Sequence, residues 1–239
     1  MTNPNGTPSQ DAYTQLRRGA WFGALPPSLA TILFESGRAE DYGAGETIYA
    51  EESPAQGLFA LIEGAVHFEK LDRSGHRVLL HVGAPGFWFG EIAAGGGLRT
   101  MVTARAYTRV HVWRVPVFMV SRILNSEPEL FSALSTLMAA RFAALIETVC
   151  AMRRPSAVAQ IAGRLALMDE NCKENDSAVR VSVIQMTQND LADMTGHARQ
   201  TVNAAVKKLE EEGLINVGHR QIEILSPAAL GAYYIGEKT

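Results

Sequence analysis

Residues 187–206 read TQNDLADMTGHARQTVNAAV, and their spacing decides how the last third of the chain folds. Thr187 is followed three residues later by Asp190, the pattern in which a hydroxyl caps the first helical turn and an acid answers the cap's own backbone N–H. Leu191, Ala192 and Met194 supply the inward face, and Gly196 permits the tight turn that ends the helix. Val202, Val206 and Leu209 then recur at helical spacing and anchor a second helix, which small Ala192 lets approach closely. That is helix-turn-helix spacing. The face left to solvent carries Arg199, Gln200 and Asn203, side-chain types that read guanine and adenine edges in the major groove. Leu214, Ile215 and Asn216, a turn through Val217-Gly218-His219-Arg220, and residues 221–225 form a hairpin, so the unit reads as a winged helix. Thr201, Lys207, Lys208, His219 and Arg220 are candidates for phosphate contacts, which position a domain without reading sequence.

Upstream lies a long helix. Ser126-Glu127-Pro128-Glu129 reads as its start, with Ser126 as cap and Pro128 in the first turn. Phe131, Leu134, Met138, Phe142, Leu145, Val149 and Met152 then recur every three or four residues, widened by Leu130, Leu137 and Ile146, until Pro155 breaks the pattern. About 25 helical residues span roughly 38 Å, longer than one small barrel needs to cover. A second copy of the chain is therefore the expected partner of Phe131, Leu134, Met138, Phe142, Leu145 and Val149, in an isologous two-fold contact.

Further upstream the pattern changes to short apolar runs punctuated by glycine: 58–62 before Glu63-Gly64, 65–68 after it, 78–82 before Gly83, then 101–106 and 109–113. Closely spaced strands with such turns predict an antiparallel β jelly roll or barrel, capped by helical segments around residues 11–33. The expected fold class is α+β in three parts: an effector-binding barrel over 1–125, a dimerisation helix and hinge over 126–155, and a winged helix-turn-helix over 156–239.

Composition limits what such a chain does. With 239 residues, 47% hydrophobic and 20% charged, it buries a real core and is neither disordered nor collagen-like. No run of 18 uninterrupted apolar residues occurs, so no membrane partner is expected, and the polar N-terminus shows no secretory pattern. Cys150 and Cys172 are too few for a disulfide framework or an iron–sulfur site, which fits a cytoplasmic location. Net charge is −3, and from Ser156 onward eight Lys and Arg face eleven Asp and Glu. Any DNA binding must then rest on local geometry rather than on a basic excess.

No Ser-His-Asp set, P-loop lysine or CxxC motif is present, so an enzyme is not expected. His67, His76, His81 and His111 lie among the strands, but His76 and His81 are five apart and point to opposite faces, against a metal site of the cupin kind. No metal is expected. Trp88 reads as barrel packing.

Barrel, long helix and winged helix in this order resemble the Crp/Fnr family of bacterial transcription regulators from about Gly43 to Leu225. Gly45-Glu46-Thr47-Ile48-Tyr49 with Glu52-Ser53-Pro54-Ala55 is similar to the family's opening strand and turn, and Leu61-Ile62-Glu63-Gly64 to its next signature. Gly90-Glu91-Ile92 leading to Arg99-Thr100 resembles its cyclic-nucleotide phosphate cassette, and residues 198–203 resemble its recognition helix. The resemblance implies a homodimer on palindromic double-stranded DNA, working with RNA polymerase under a small anionic effector such as a cyclic nucleotide. In that cassette Gly90 would admit the backbone, Arg99 would hold phosphate, Glu91 a ribose hydroxyl, and Thr100 would add a donor. The stretch from Glu91 to Arg99 is about two residues shorter than in cAMP-responsive members. Leu145 and Ile146 stand where those members hold the base through hydroxyl side chains. Gln200 replaces their glutamate and Ala204 their second base-reading arginine. A regulatory module or ligand-only cupin without DNA-binding role is the competing reading.

Overall fold

The computed structural model describes residues 10–172 and 182–235. Three short helices open it: α1 (Gln10–Arg17), α2 (Ala20–Ala24) and α3 (Pro27–Glu35). Eight strands follow: β1 (Arg38–Tyr42), β2 (Thr47–Tyr49), β3 (Gly57–Glu63), β4 (Val66–Leu71), β5 (Arg77–Gly83), β6 (Trp88–Phe89), β7 (Thr103–Ala106) and β8 (Val110–Pro116). Next come α4 (Val117–Ser126), α5 (Glu129–Met152) and α6 (Ala157–Cys172). The last part holds β9 (Ser182–Ile184), α7 (Gln188–Thr195), α8 (Arg199–Glu211), β10 (Ile215–Gly218), β11 (Gln221–Ile224) and α9 (Pro227–Ile235). The expected strand at 179–183 and polar loop at 171–177 fall largely outside the described residues, β9 and the end of α6 excepted.

Two antiparallel four-stranded sheets, ordered β1-β8-β3-β6 and β2-β7-β4-β5, make the jelly-roll sandwich. β3 shows why its sequence is almost continuously apolar: both of its faces are covered. Phe59 and Leu61 point into the sandwich with Ile48, Tyr49, Val66, Phe68, Phe89 and Val112. Leu58, Ala60 and Ile62 point the other way, under a second core built with Phe22, Leu29, Leu33, Trp88 and Trp113. Trp88 is barrel packing, stacked on Phe22 with centroids 4.8 Å apart.

That second core corrects the expected two-fold seam at one residue. Leu134 is only 1% exposed and lies, with Leu130, among the helices of its own chain. Trp21 fixes this end of α5 by donating from Nε1 to the Ala133 carbonyl at 2.8 Å. Leu137 packs half-buried against the same core, whereas Phe131, Met138, Phe142, Leu145, Ile146, Val149 and Met152 are all exposed. By length and composition alone α5 is long and apolar enough to cross a membrane, although no 18 apolar residues run uninterrupted in it. Ser126 also differs from expectation. It closes α4, its hydroxyl donating to the Arg122 and Ile123 carbonyls, and α5 begins three residues later.

Two compact units emerge, and they do not follow chain order. One holds the described residues to 70 together with 83–140; the other holds 71–82, 141–172 and 182–235. In the second, β9, β10 and β11 form a three-stranded antiparallel sheet beside α6, α7 and α8.

Candidate nucleic-acid interface and effector site

α7 starts where the sequence says it should. Asp190 N donates to Thr187 Oγ1 at 3.1 Å, and Thr187 N donates to Asp190 Oδ2 at 2.8 Å, a complete capping box. Gly196 ends the helix in the left-handed region at φ 70°, a conformation that glycine adopts without the Cβ penalty. α8 then buries Val202, Ala205, Val206 and Leu209, and 100° per residue puts Gln200, Ala204 and Lys207 opposite them. Arg199 opens the helix, and Arg199, Gln200, Thr201 and Asn203 are all exposed in its first turns. Ala198 precedes them with no side-chain cap.

The hairpin pairs Gly218 with Gln221, leaving His219 and Arg220 as an exposed two-residue tip. Arg220 takes φ 58°, left-handed at a non-glycine residue. Lys207 lies 3.6 Å from Glu211 on the outward face. Lys208 turns toward α9, its Nζ 5.8 Å from the Tyr233 ring centroid, and its hydrogen bond with the Tyr233 hydroxyl raises its pKa. Glu210, two residues on, accepts from Val217 N at 2.9 Å and so ties α8 to the wing.

Residues that local sequence patterns do not mark also hold this unit. Arg77, in the hairpin 71–82, donates from Nη2 to Asp190 Oδ1 at 2.6 Å and to Asp193 Oδ2 at 2.8 Å. The acid of the capping box therefore also binds a guanidinium 113 residues away. Arg164 on α6 reaches the Leu80 carbonyl at 2.8 Å and Thr148 Oγ1 on α5 at 2.6 Å; burial lowers its pKa to about 10. Burial first, then the charges of Arg141 and Arg164, push the His81 imidazole down to about 3, so it is neutral at pH 7. Gln160 on α6 bonds both the Arg154 carbonyl and His197.

The cassette is built differently from the expectation. Gly90 takes φ 83° at the start of a 3-10 turn over Glu91–Gly95, and a Cβ there would stand 2.5 Å from the Gly57 carbonyl oxygen. Its glycine is thus required by packing against its own chain, whether or not a ligand approaches. Thr100 is 4% exposed, and its hydroxyl is engaged by the Ala50 carbonyl and by Ser53 N at 3.1 Å, which removes it from the expected donor set. Arg99 is exposed and donates from Nη1 to the Glu52 carbonyl at 2.5 Å. Glu91 is half-buried. Leu145 and Ile146 belong to the other compact unit, on the exposed face of α5.

His67 is buried and stacks on Tyr107 at 4.0 Å, whereas His111 sits 3.2 Å from Asp41. No cluster of three His, Cys, Asp or Glu able to hold a metal occurs among the described residues.

Two family profiles match the two ends of the chain. A "Cyclic nucleotide-binding domain" matches residues 39–127, and a "Crp-like helix-turn-helix domain" matches 159–233. The chain belongs to the Crp/Fnr family of transcription regulators. It is a DNA-binding regulator of that type, and the reading without a DNA-binding role is not favoured. This Crp/Fnr regulator is 25% identical to "Nitrogen fixation regulation protein FixK" of Bradyrhizobium diazoefficiens over 232 residues, which cover 97% of this chain and 96% of the relative. It is 26% identical to the "CRP-like cAMP-activated global transcriptional regulator" of Mycobacterium tuberculosis, covering 87% and 93% of the two chains. The solved structure of FixK2 from Bradyrhizobium japonicum has the same fold, with TM-score 0.69 over 82% of this chain and 96% of that one, at 24% identity.

Proposed function

We propose that this regulator binds a two-fold operator in double-stranded DNA as a homodimer, with α8 of each protomer in the major groove and the tip of the wing against the backbone. The observation that carries the reading is the exposed row at the start of α8, together with the exposed tip at His219 and Arg220. Arg199 contacts guanine in a bidentate manner, and Gln200 and Asn203 favour adenine. Thr201, Lys207 and Arg220 contact phosphate. Lys208 contributes less, since its ammonium is already engaged by Tyr233. Ala204 offers no hydrogen bond, which removes one base contact. The exposed side chains Phe131, Met138, Phe142, Leu145 and Val149 make the two-fold seam. The regulator works in the cytoplasm, with RNA polymerase as its further partner. Selection from random DNA tests the reading: a palindrome should be enriched, and failure to enrich one would overturn it.

Control by a small anion of the cyclic-nucleotide class is supported by the match over residues 39–127 and by the cAMP-activated relative. Exposed Arg99 holds the phosphate and Glu91 the ribose hydroxyl. Calorimetry of the apo protein against cyclic mono- and dinucleotides, with Arg99→Leu as control, tests this. Heat in wild type that vanishes in the variant is expected; no heat for any of them rejects it.

A further inference from the structure

The second compact unit contains two joints, and one side chain spans them. The first joint is the break between α5 and α6, where α5 ends at Met152 and Ser156 restarts the chain by accepting Ala159 N on its hydroxyl at 3.2 Å. The second is the turn between α7 and α8, where Gly196 and His197 set the direction in which the recognition helix leaves. Gln160, in the first turn of α6, donates from Nε2 to the Arg154 carbonyl at 2.7 Å and meets His197 Nε2 through Oε1 at 2.6 Å.

The chemistry fixes every orientation in this chain of bonds. A backbone carbonyl only accepts, so the NH2 end of the amide faces Arg154. The carbonyl end then faces the ring, and His197 Nε2 must carry a hydrogen. Arg154 precedes Pro155, which has no N–H and restricts the backbone before it. The turn is equally dependent on this anchor. Ala198 gives α8 no side-chain cap, so no side chain of the turn itself fixes the start of α8: Val202 is buried beneath it, the Ala198 carbonyl accepts Thr201 N and Val202 N, and His197 precedes Ala198. Arg199 is two residues beyond His197.

We propose that Gln160 is a positioning residue for DNA recognition: its amide couples the Pro155 hinge to the turn that launches α8, so the setting of one fixes the other. This rests on the two-fold operator reading above. In a dimer each hinge then sets where its recognition helix stands, and the distance and rotation between half-sites become part of what is read. One inserted base pair turns a half-site by about 35°.

The test uses the full-length protein on its selected operator and on operators lengthened or shortened by one base pair between half-sites. Wild type should lose about tenfold or more in affinity on altered spacing, the scale of a lost base-pair contact, and Gln160→Leu less than about threefold. Gln160→Glu keeps an acceptor for His197 but turns an oxygen toward the Arg154 carbonyl, and His197→Ala breaks only the other end. Each should relax spacing as Gln160→Leu does, and the Gln160→Leu/His197→Ala double variant should relax it no further, because a link broken at one end is already broken. A merely structural role would lower affinity equally at all spacings. If Gln160→Leu keeps the wild-type spacing ratio, the inference falls while the operator reading stands. If wild type shows no two-fold site at all, both fall.

Discussion

Leu134 and Phe142 stand about two turns apart on one apolar stripe of α5, yet alanine at each should produce opposite phenotypes. Leu134 is 1% exposed and packs within its own chain's core, whereas Phe142 is 65% exposed. Leu134→Ala removes buried carbons from a close-packed site and should cost about 2–5 kcal/mol of folding stability. Phe142→Ala should leave folding nearly unchanged and weaken assembly. Full burial of a phenylalanine contributes about 1.5–3 kcal/mol, so burying the exposed part of this ring contributes about 1–2 kcal/mol. A two-fold contact counts it twice, about 2–4 kcal/mol, or about 30- to 700-fold in the dimer dissociation constant. Sedimentation across a concentration series measures assembly, and urea unfolding measures stability. A Phe142→Ala protein that dimerises like wild type would refute the seam. A Leu134→Ala protein with wild-type urea stability and a weakened dimer would return Leu134 to it.

Arg199→Ala should cost about 1–3 kcal/mol per cognate half-site and leave scrambled DNA binding nearly unchanged; equal losses on both DNAs at one fixed salt would mean a phosphate contact. Arg77→Gln removes the guanidinium from Asp190, whose side chain is 8% exposed, but Arg77 itself is 37% exposed. A loss of about 1–2 kcal/mol in urea unfolding, with faster amide exchange in α7, is expected after screening; wild-type exchange there would show that the pair does not hold the helix. His81 is held neutral by burial, with its pKa lowered to about 3. The unfolded chain binds this proton below about pH 6.5, so the native state loses stability as pH falls from there toward 3. At pH 5 the contribution is about 2 kcal/mol, and it is absent above about pH 7. The stability of wild type minus that of His81→Gln should therefore fall between pH 7 and 5; a flat difference would contradict the buried neutral ring.

What the sequence made legible was local. Thr187 and Asp190 are three residues apart, and their capping box closes as the spacing predicts. The apolar run 58–62 marks β3 as a strand, and the buried positions of α8 follow from a period of 3.6. What stayed hidden depends on distant chain. Periodicity marks the apolar face of α5 but not whose atoms cover it, so Leu134 and Phe142 look alike. Thr100 reads as a free donor until Ser53 and Ala50, about fifty residues earlier, are seen to occupy its hydroxyl. Ser126 satisfies a start signal and a stop signal equally, and only the preceding helix decides between them. Arg77 and Gln160 belong to no motif, and His197 lies in the helix-turn-helix without a role the pattern marks, because each acts through a partner remote in sequence.

The place of residues 71–82 bears on how such regulators are recombined. A chimera joined at Pro155 would graft the winged helix from one relative onto the barrel of another and appear, by chain order, to exchange whole modules. It would separate Asp190 and Asp193 from Arg77, and Arg164 from the Leu80 carbonyl it binds. The transplantable module here is discontinuous: the helix-turn-helix travels intact only with a twelve-residue insert taken from inside the barrel's own sequence.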